Sequence, residues 1–358
     1  QDGIQSGNAR RDAFEDGRVL LARGHGDRSY RKTRGVALGV SRRGPLPPGA
    51  LTVETLVRFA EGLGRFSARF VPSAFAIAVL LTLLTLALAM GWVGAAPPVV
   101  LDAWGGGFWE LLTFSMQMAL VMFTGYLLAL TAPVKALLEG VARLPKSPRS
   151  ATALMAAVSM ALAYFNWGLS LVASAMLVRF IARRRPDVDY RLLVACAYFG
   201  LGATWHAGLS ASAPLLVATP GHFLEKQLGV IPIDRTLFSP FNVGLTLAAV
   251  LLLTALAWAL HPSPERTVRV EPAVLEKLGD FVPPEKPQGK LSPAEWLDHA
   301  WLLNAVFGVL GLAWFARHLW LHGGWKALNL NVVNFTFLTL AVLLHGTPAR
   351  LLKASEEA

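Results

Sequence analysis

Two short stretches hold the residues best suited to chemistry. The first is Phe165-Asn166-Trp167-Gly168; the second runs from Thr204-Trp205-His206 through Gly208-Leu209-Ser210-Ala211-Ser212-Ala213-Pro214 to Thr219-Pro220-Gly221-His222. Both sit inside long uncharged runs. His206 and Ser210 are four apart, a spacing that lets a base reach a nucleophile on one helical face. Nothing orients such a pair, because no Asp or Glu occurs between Asp189 and Glu225. Gly208 and Pro214 also oppose a regular helix there. An intramembrane hydrolase is therefore a remote reading, and no enzyme is expected. Metal chemistry fares no better. The eight histidines are scattered, the i, i+4 pair His318/His322 has no acidic neighbour, and Cys196 is the single cysteine. No metal or other cofactor is expected. What remains is a set of uncharged hydrogen-bonding groups, suited to binding or to satisfying freed backbone.

The elements that must position these groups follow from hydropathy. Of the 358 residues, 54 % are hydrophobic and 16 % charged, against about a quarter charged in a typical soluble domain. The net charge of +10 does not indicate nucleic acid, because basic nucleic-acid binders are not this apolar. The class is an all-α integral membrane protein. Residues 1–50 hold half the net charge and end in Gly44-Pro45-Leu46-Pro47-Pro48-Gly49. They are expected to form a disordered extension, not native to the working protein. Over 51–69, Leu56, Phe59, Leu63 and Phe66 oppose Glu54, Arg58, Glu61 and Arg65. That spacing predicts an amphipathic helix lying in the membrane interface.

Residues 70–264 read as a first transmembrane half. Charge-free runs cover 70–101, 111–134, 150–178, 192–224 and 236–264, and about 20 apolar residues suffice for one crossing. Segments 135–149 and 179–191 carry an excess of Lys and Arg and should face the cytoplasm, while Asp102 and Glu110 mark an outward loop. Arg183, Arg184 and Arg185 set this topology and meet anionic lipid. Window 150–178 then begins and ends on one side, which a single crossing cannot do. A re-entrant hairpin with Asn166 at its tip can. Non-helical backbone at that depth is tolerated where protein buries it or it lines a cavity. Window 192–224 predicts a helix broken between about Thr204 and Pro214. Two interrupted segments are a pointer to a transporter's binding site. Gln117, Asn242, Asn329, Asn331 and Asn334 suit hydrogen bonds between helices. Residues 265–300 form a hydrophilic connection and 301–358 the start of a second half. Gly106-Gly107-Phe108-Trp109 before Ala132-Pro133 is echoed by Gly323-Gly324-Trp325 before Thr347-Pro348, and the crossing count gives both copies one orientation.

The chain resembles the bacterial short-chain fatty acid transporter family, permeases of the acetoacetate and butyrate type. The resemblance rests on Trp104-Gly105-Gly106-Gly107-Phe108-Trp109, Phe114-Ser115-Met116-Gln117-Met118, Asn166-Trp167-Gly168, Ala195-Cys196-Ala197-Tyr198, Ser210 to Leu216, Ala218-Thr219-Pro220-Gly221 and Thr236 to Asn242. It starts near Phe70. Ala207 and Ala211 stand where the family is richer in glycine, and family members continue past Ala358, so the second half reads as truncated. The resemblance implies a multi-pass secondary transporter of the cell inner membrane, working by alternating access as a homodimer with an elevator-like movement. Its substrates would be short-chain monocarboxylates, and its partners membrane lipid and no nucleic acid. A carrier of another organic anion, such as a dicarboxylate, is the alternative; it would favour a second cationic anchor that the broken segments lack. The substrate site implied comprises Asn166, Trp167, Gly168, Ser170, Ser210, Ser212, Thr219 and Gly221, with helix N-termini and hydroxyls as carboxylate donors and Trp167 and Trp205 bounding the tail. His206 is the candidate for proton coupling, and the coupling ion, proton or sodium, stays open.

Overall fold

The computed structural model describes residues 71–107, 109–271, 281–285 and 291–358, with isolated positions at 62, 63, 66, 70, 275 and 289. The extension 1–50, and the interfacial helix expected over 51–69 except for three positions, lie outside the described residues. All regular structure among the described residues is helical. The chain divides into two compact units at Val93. In the first, α1 (Ala74–Gly91) is capped by Ser73, whose hydroxyl accepts from Ala76 N. Thr82 and Thr85 donate to the carbonyls four residues back, each at 2.8 Å. α1 therefore shows little polarity on any face.

The second unit opens with α2 (Pro97–Gly107), α3 (Leu112–Ala129) and α4 (Ala132–Val141). α5 (Pro148–Phe165) and α6 (Trp167–Arg184) follow, separated by one residue, Asn166. The chain folds back on itself there. Ser170 Oγ donates to Ser159 O across the turn at 2.8 Å, and at the far end Arg185 donates to Lys146 O at 3.3 Å. These arms are longer than the charge-free window 150–178. Ser147 and Ser150 form a reciprocal capping box that starts α5 early, with Pro148 in its first turn. α6 runs on through Arg179 to Arg183 and Arg184, cations that suit the negative end of a helix. At 1.5 Å per residue each arm is about 27 Å long, close to the roughly 30 Å of a hydrocarbon core.

Next come α7 (Tyr190–Ala197), a π-helical turn (Gly200–Thr204), a 3-10 turn (Trp205–Ala207) and α8 (Ser212–Val217). This is the broken helix, and its break differs from the expected one. Regular hydrogen bonding fails already at Tyr198, and Pro214 does not cause the break. Pro214 sits in the first turn of α8, where its missing N–H has no intrahelical partner to lose. The chain continues through α9 (Glu225–Leu228), α10 (Pro240–Ala259), α11 (Pro293–Asp298), α12 (Trp301–Leu321), α13 (Leu330–His345) and α14 (Pro348–Glu357). α11 has its own capping box; the backbone N–H of Ser292, and then its hydroxyl, hold the Glu295 carboxyl below the usual carboxylate range.

The hairpin packs against α3, α7 and α10. Its core buries Met155, Met160, Leu177, Ile181 and Leu193 completely, and in lipid such side chains hold helices together by close packing. α10 buries only Ala257, and α12 only Asn304, Gly308 and Gly311. Most of their leucines face outward, as on lipid-facing helices, while Leu253 of α10 packs against the hairpin core. Four described segments are long and apolar enough to cross a membrane: Leu112–Ala129, Tyr190–Val217, Pro240–Ala259 and Trp301–Leu321. α3 and α13 run parallel, because Gln117 bonds Asn331 and Asn334 near their starts while His345 meets Leu127 O near their ends. The two echo segments thus share one direction.

At the other end of α7, Asp189 is a buried hub. Its carboxylate accepts from Leu192 N at 2.9 Å, Val268 N at 2.8 Å and Arg191 at 3.4 Å, and its own N–H donates to His261 Nε2 at 3.1 Å. It holds the start of the broken helix to the segment after α10.

The seam between α3 and the hairpin has no room for side chains. A Cβ on Gly125 would collide with Asn166 Oδ1 and Leu169 N, and one on Gly168 would come within 2.8 Å of the Met122 backbone. Gly125→Ala should lower stability by about 1–3 kcal/mol through overpacking. Gly140→Ala, in α4 with nothing within 4 Å, should raise it by up to about 1 kcal/mol. Thermal unfolding midpoints of the detergent-solubilised protein check both directions.

Candidate functional site

The site is built on the turn of the hairpin. Asn166 is at once the C-terminal cap of α5 and the N-cap of α6, with extended backbone at φ −156° and ψ 118°. Its side chain is fully buried. Oδ1 accepts from Leu169 N at 2.8 Å, and Nδ2 donates to Val121 O of α3 at 3.1 Å. One amide therefore starts α6 and ties the turn to a neighbouring helix. Aspartate has no donor for Val121 O; serine is too short to do both.

The break in the second segment docks on this turn. Leu209 N donates to Tyr164 O at 2.7 Å, and Trp167 N donates to Ser210 Oγ at 2.9 Å. Gly208 lies so close that a Cβ would strike the Tyr164 carbonyl. Thr204 Oγ1 donates to Met160 O at 2.9 Å, and Ser159 Oγ to Cys196 O at 2.7 Å. Asn242, at the start of α10, donates to Ala207 O at 3.1 Å and to Leu237 O at 2.7 Å. The irregular backbone is satisfied by polar side chains of packed helices, as an apolar setting requires.

A second helix start joins from the far side. Asn329 caps α13, and Thr219 Oγ1 accepts Leu330 N at 3.1 Å while donating to Leu215 O at 2.6 Å. Leu330 and Val333 share an apolar cluster with Val121, Ala211, Leu215, Ile233 and Leu237, and Trp167 packs against it. The N-termini of α6 and α13 thus flank one apolar cluster, each contributing about half a positive charge. From Leu192 to Leu224 the chain carries no Asp, Glu, Lys or Arg.

The implied site residues fall into two groups. Asn166, Trp167, Gly168, Ser170 and Ser210 come together at the turn, and Thr219 links α8 to α13. The hydroxyl protons of Ser170 and Thr219 go to backbone carbonyls, and that of Ser210 points to Ala163 O at 3.5 Å. Ser212 is half-buried and its side chain caps nothing. Gly221 lies on an exposed turn at φ +81°, its N–H bonded to Glu225. His206 is exposed, edge-on to Trp205. Arg183 donates to Leu275 O, Arg184 is exposed, and Arg185 pairs with Asp187 at 2.7 Å. Gln117, Asn331, Asn334 and Asn242 make the bonds between elements that their apolar surroundings suggested. Thr152, Asn304 and His345 make further ones, to Ala257 O, Val342 O and Leu127 O. Isolated polar residues in apolar helices are the signal that marks them. Among the described residues no three His, Cys, Asp or Glu gather as a metal site would need.

The family model described as "Short chain fatty acid transporter" matches residues 55–358. The chain belongs to this family. A "Putative short-chain fatty acid transporter" of Escherichia coli (strain K12) is 39 % identical over 300 residues, covering 83 % of this chain and 66 % of its own length. A protein of the same name from Haemophilus influenzae is 33 % identical over 304 residues, covering 83 % of this chain and 67 % of its own. The chain spans about two thirds of the length of these curated relatives. No solved structure matches it. Family membership and the apolar helices make this a membrane protein, and they point to a transporter rather than an enzyme.

If Asn166 holds the turn, its loss is costly. Asn166→Ala removes a cap and a cross-helix bond and should destabilise by about 2–3 kcal/mol. Asn166→Asp should be no better, because it sets a carboxylate oxygen against the Val121 carbonyl. Unfolding titrations in mixed micelles check the pair; an aspartate variant as stable as the parent contradicts the assignment.

Proposed function

We propose that the protein is a secondary transporter that carries short-chain fatty acid anions, such as butyrate and acetoacetate, across the bacterial inner membrane by alternating access. Support comes from the one-residue turn at Asn166 with the broken segment 198–211 docked on it. A buried, uncharged meeting of interrupted helices beside an apolar cluster suits a substrate with one carboxylate and a short tail. Such an acid is almost fully ionised at neutral pH, so its anion needs both a polar end and an apolar one. A fixed Lys or Arg is not required where helix N-termini supply the positive potential. A dicarboxylate would leave its second charge in the apolar cluster, at high desolvation cost.

In this reading the hairpin is re-entrant, with Lys146 and Arg185 at its cytoplasmic mouth and Asn166 deep in the membrane. The outward helices α10 and α12 serve as scaffold, facing lipid and a second copy in a homodimer. Symport with a proton or with sodium drives uptake, and His206, beside the break, is the titratable group for the proton route.

Two measurements test this. Cysteines at positions 149 and 180 should be labelled from the same, cytoplasmic side of the membrane; labelling from opposite sides overturns the hairpin topology. Proteoliposomes holding the protein should accumulate radiolabelled butyrate and acetoacetate, saturably, under an imposed proton or sodium gradient. Absence of uptake under both gradients overturns the transport reading. If protons drive it, His206→Gln should flatten the pH dependence of uptake, and an unchanged profile removes His206 from coupling.

A further inference from the structure

The implied carboxylate donors are largely spent. Ser170, Ser210 and Thr219 aim their hydroxyls at backbone carbonyls, and Ser210 and Thr219 already accept the leading N–H groups of α6 and α13. Asn166 uses both ends of its amide. Among these side chains one donor at the turn is left. The indole Nε1–H of Trp167 is buried and meets no acceptor of the chain. Leaving a buried donor unpaired costs about 1–3 kcal/mol, so each case calls for a reason. Other unpartnered groups among the described residues include hydroxyls, such as Ser174 and Thr339, which rotate at little cost. An indole N–H is fixed in the ring plane and can only donate. Its ring packs on the cluster of Val121, Leu215, Ile233, Leu237 and Leu330, which joins the donor to an apolar surface of the right kind for an alkyl tail.

Resting on the transport reading above, we propose that the Trp167 indole N–H is the hydrogen-bond donor that recognises the substrate carboxylate, so that Trp167 selects the head of the substrate and does not merely bound its tail. The ring packs on the apolar cluster, its buried N–H has no partner in the chain, and Trp167 is itself the first residue of α6. A short monocarboxylate fits with one oxygen on Nε1 and its tail along the ring. Hydrogen bonds to charged groups are worth enough to move affinity by roughly tenfold or more.

The test compares the parent with Trp167→Phe and Trp167→His in proteoliposomes. Trp167→Phe should raise the KM for butyrate about tenfold or more, with kcat little changed and the preference among acetate, butyrate and hexanoate unaltered. Trp167→His, which keeps a ring N–H, should recover part of the affinity. In the parent protein the Trp167 indole proton resonance, assigned by its loss in Trp167→Phe, should move downfield with butyrate and not with butanol. A parental KM in Trp167→Phe, or an indole resonance that ignores butyrate, overturns this inference while leaving the transport reading intact. A parent that transports no short-chain acid overturns both. If the variant changes chain-length preference but not KM for butyrate, the ring serves the tail and the inference is wrong.

Discussion

Backbone polar groups in an apolar setting must find partners, and at one point of this chain a single amide supplies them. Asn166 interrupts what would otherwise be one helix of more than thirty residues, caps its second arm and anchors the turn to Val121 of α3. The rest of the second unit depends on that interruption. The arms can lie side by side only because the turn is one residue long. The broken segment can dock only because the turn exposes Trp167 N and Tyr164 O to it. α3 reaches the turn only because Gly125 and Gly168 carry no side chain there.

The same constraint explains the hydroxyls. Thr152, Ser159, Ser170 and Thr204 each donate to a carbonyl on another element or across the turn. In water such bonds would compete with solvent and contribute little. In a membrane-embedded core they fix which segments meet, at on the order of 0.6 kcal/mol each. Glycine contacts and hydroxyl bonds thus take the place of the hydrophobic effect, which does little to hold helices together in lipid.

Much of this was legible in the sequence, through arguments about length and side. A charge-free run too long for one crossing, flanked by basic loops on both ends, requires a turn, and Asn166 with Gly168 is where the chain allows one. The boundaries were harder. Arg179 ended the charge-free window but not the helix, because arginine is a good helix former and α6 runs on to Arg183 and Arg184, cations that suit its last turn. Pro214 resembled a breaker but sits in the first turn of α8, where proline is tolerated; the true break opens at Tyr198, just before the helix-weakening Gly200 and Gly202. The roles at the turn were least accessible. Whether Ser210 or Trp167 has a donor to spare depends on which carbonyl lies beside it, and that is set by packing between segments forty residues apart. His206 lies within the broken segment and Gly221 just after it, yet both are exposed.

The proposed substrate position lies between the starts of α6 and α13, on the Asn166 turn. Hydrogen exchange at individual amides, with and without saturating butyrate, addresses that placement directly. The amides of Trp167, Leu209 and Leu330 should exchange more slowly with butyrate bound, while Leu192, at the Asp189 end of the broken helix, should not change. Protection confined to the Asp189 end, or no protection at the turn under conditions of saturable uptake, would contradict it.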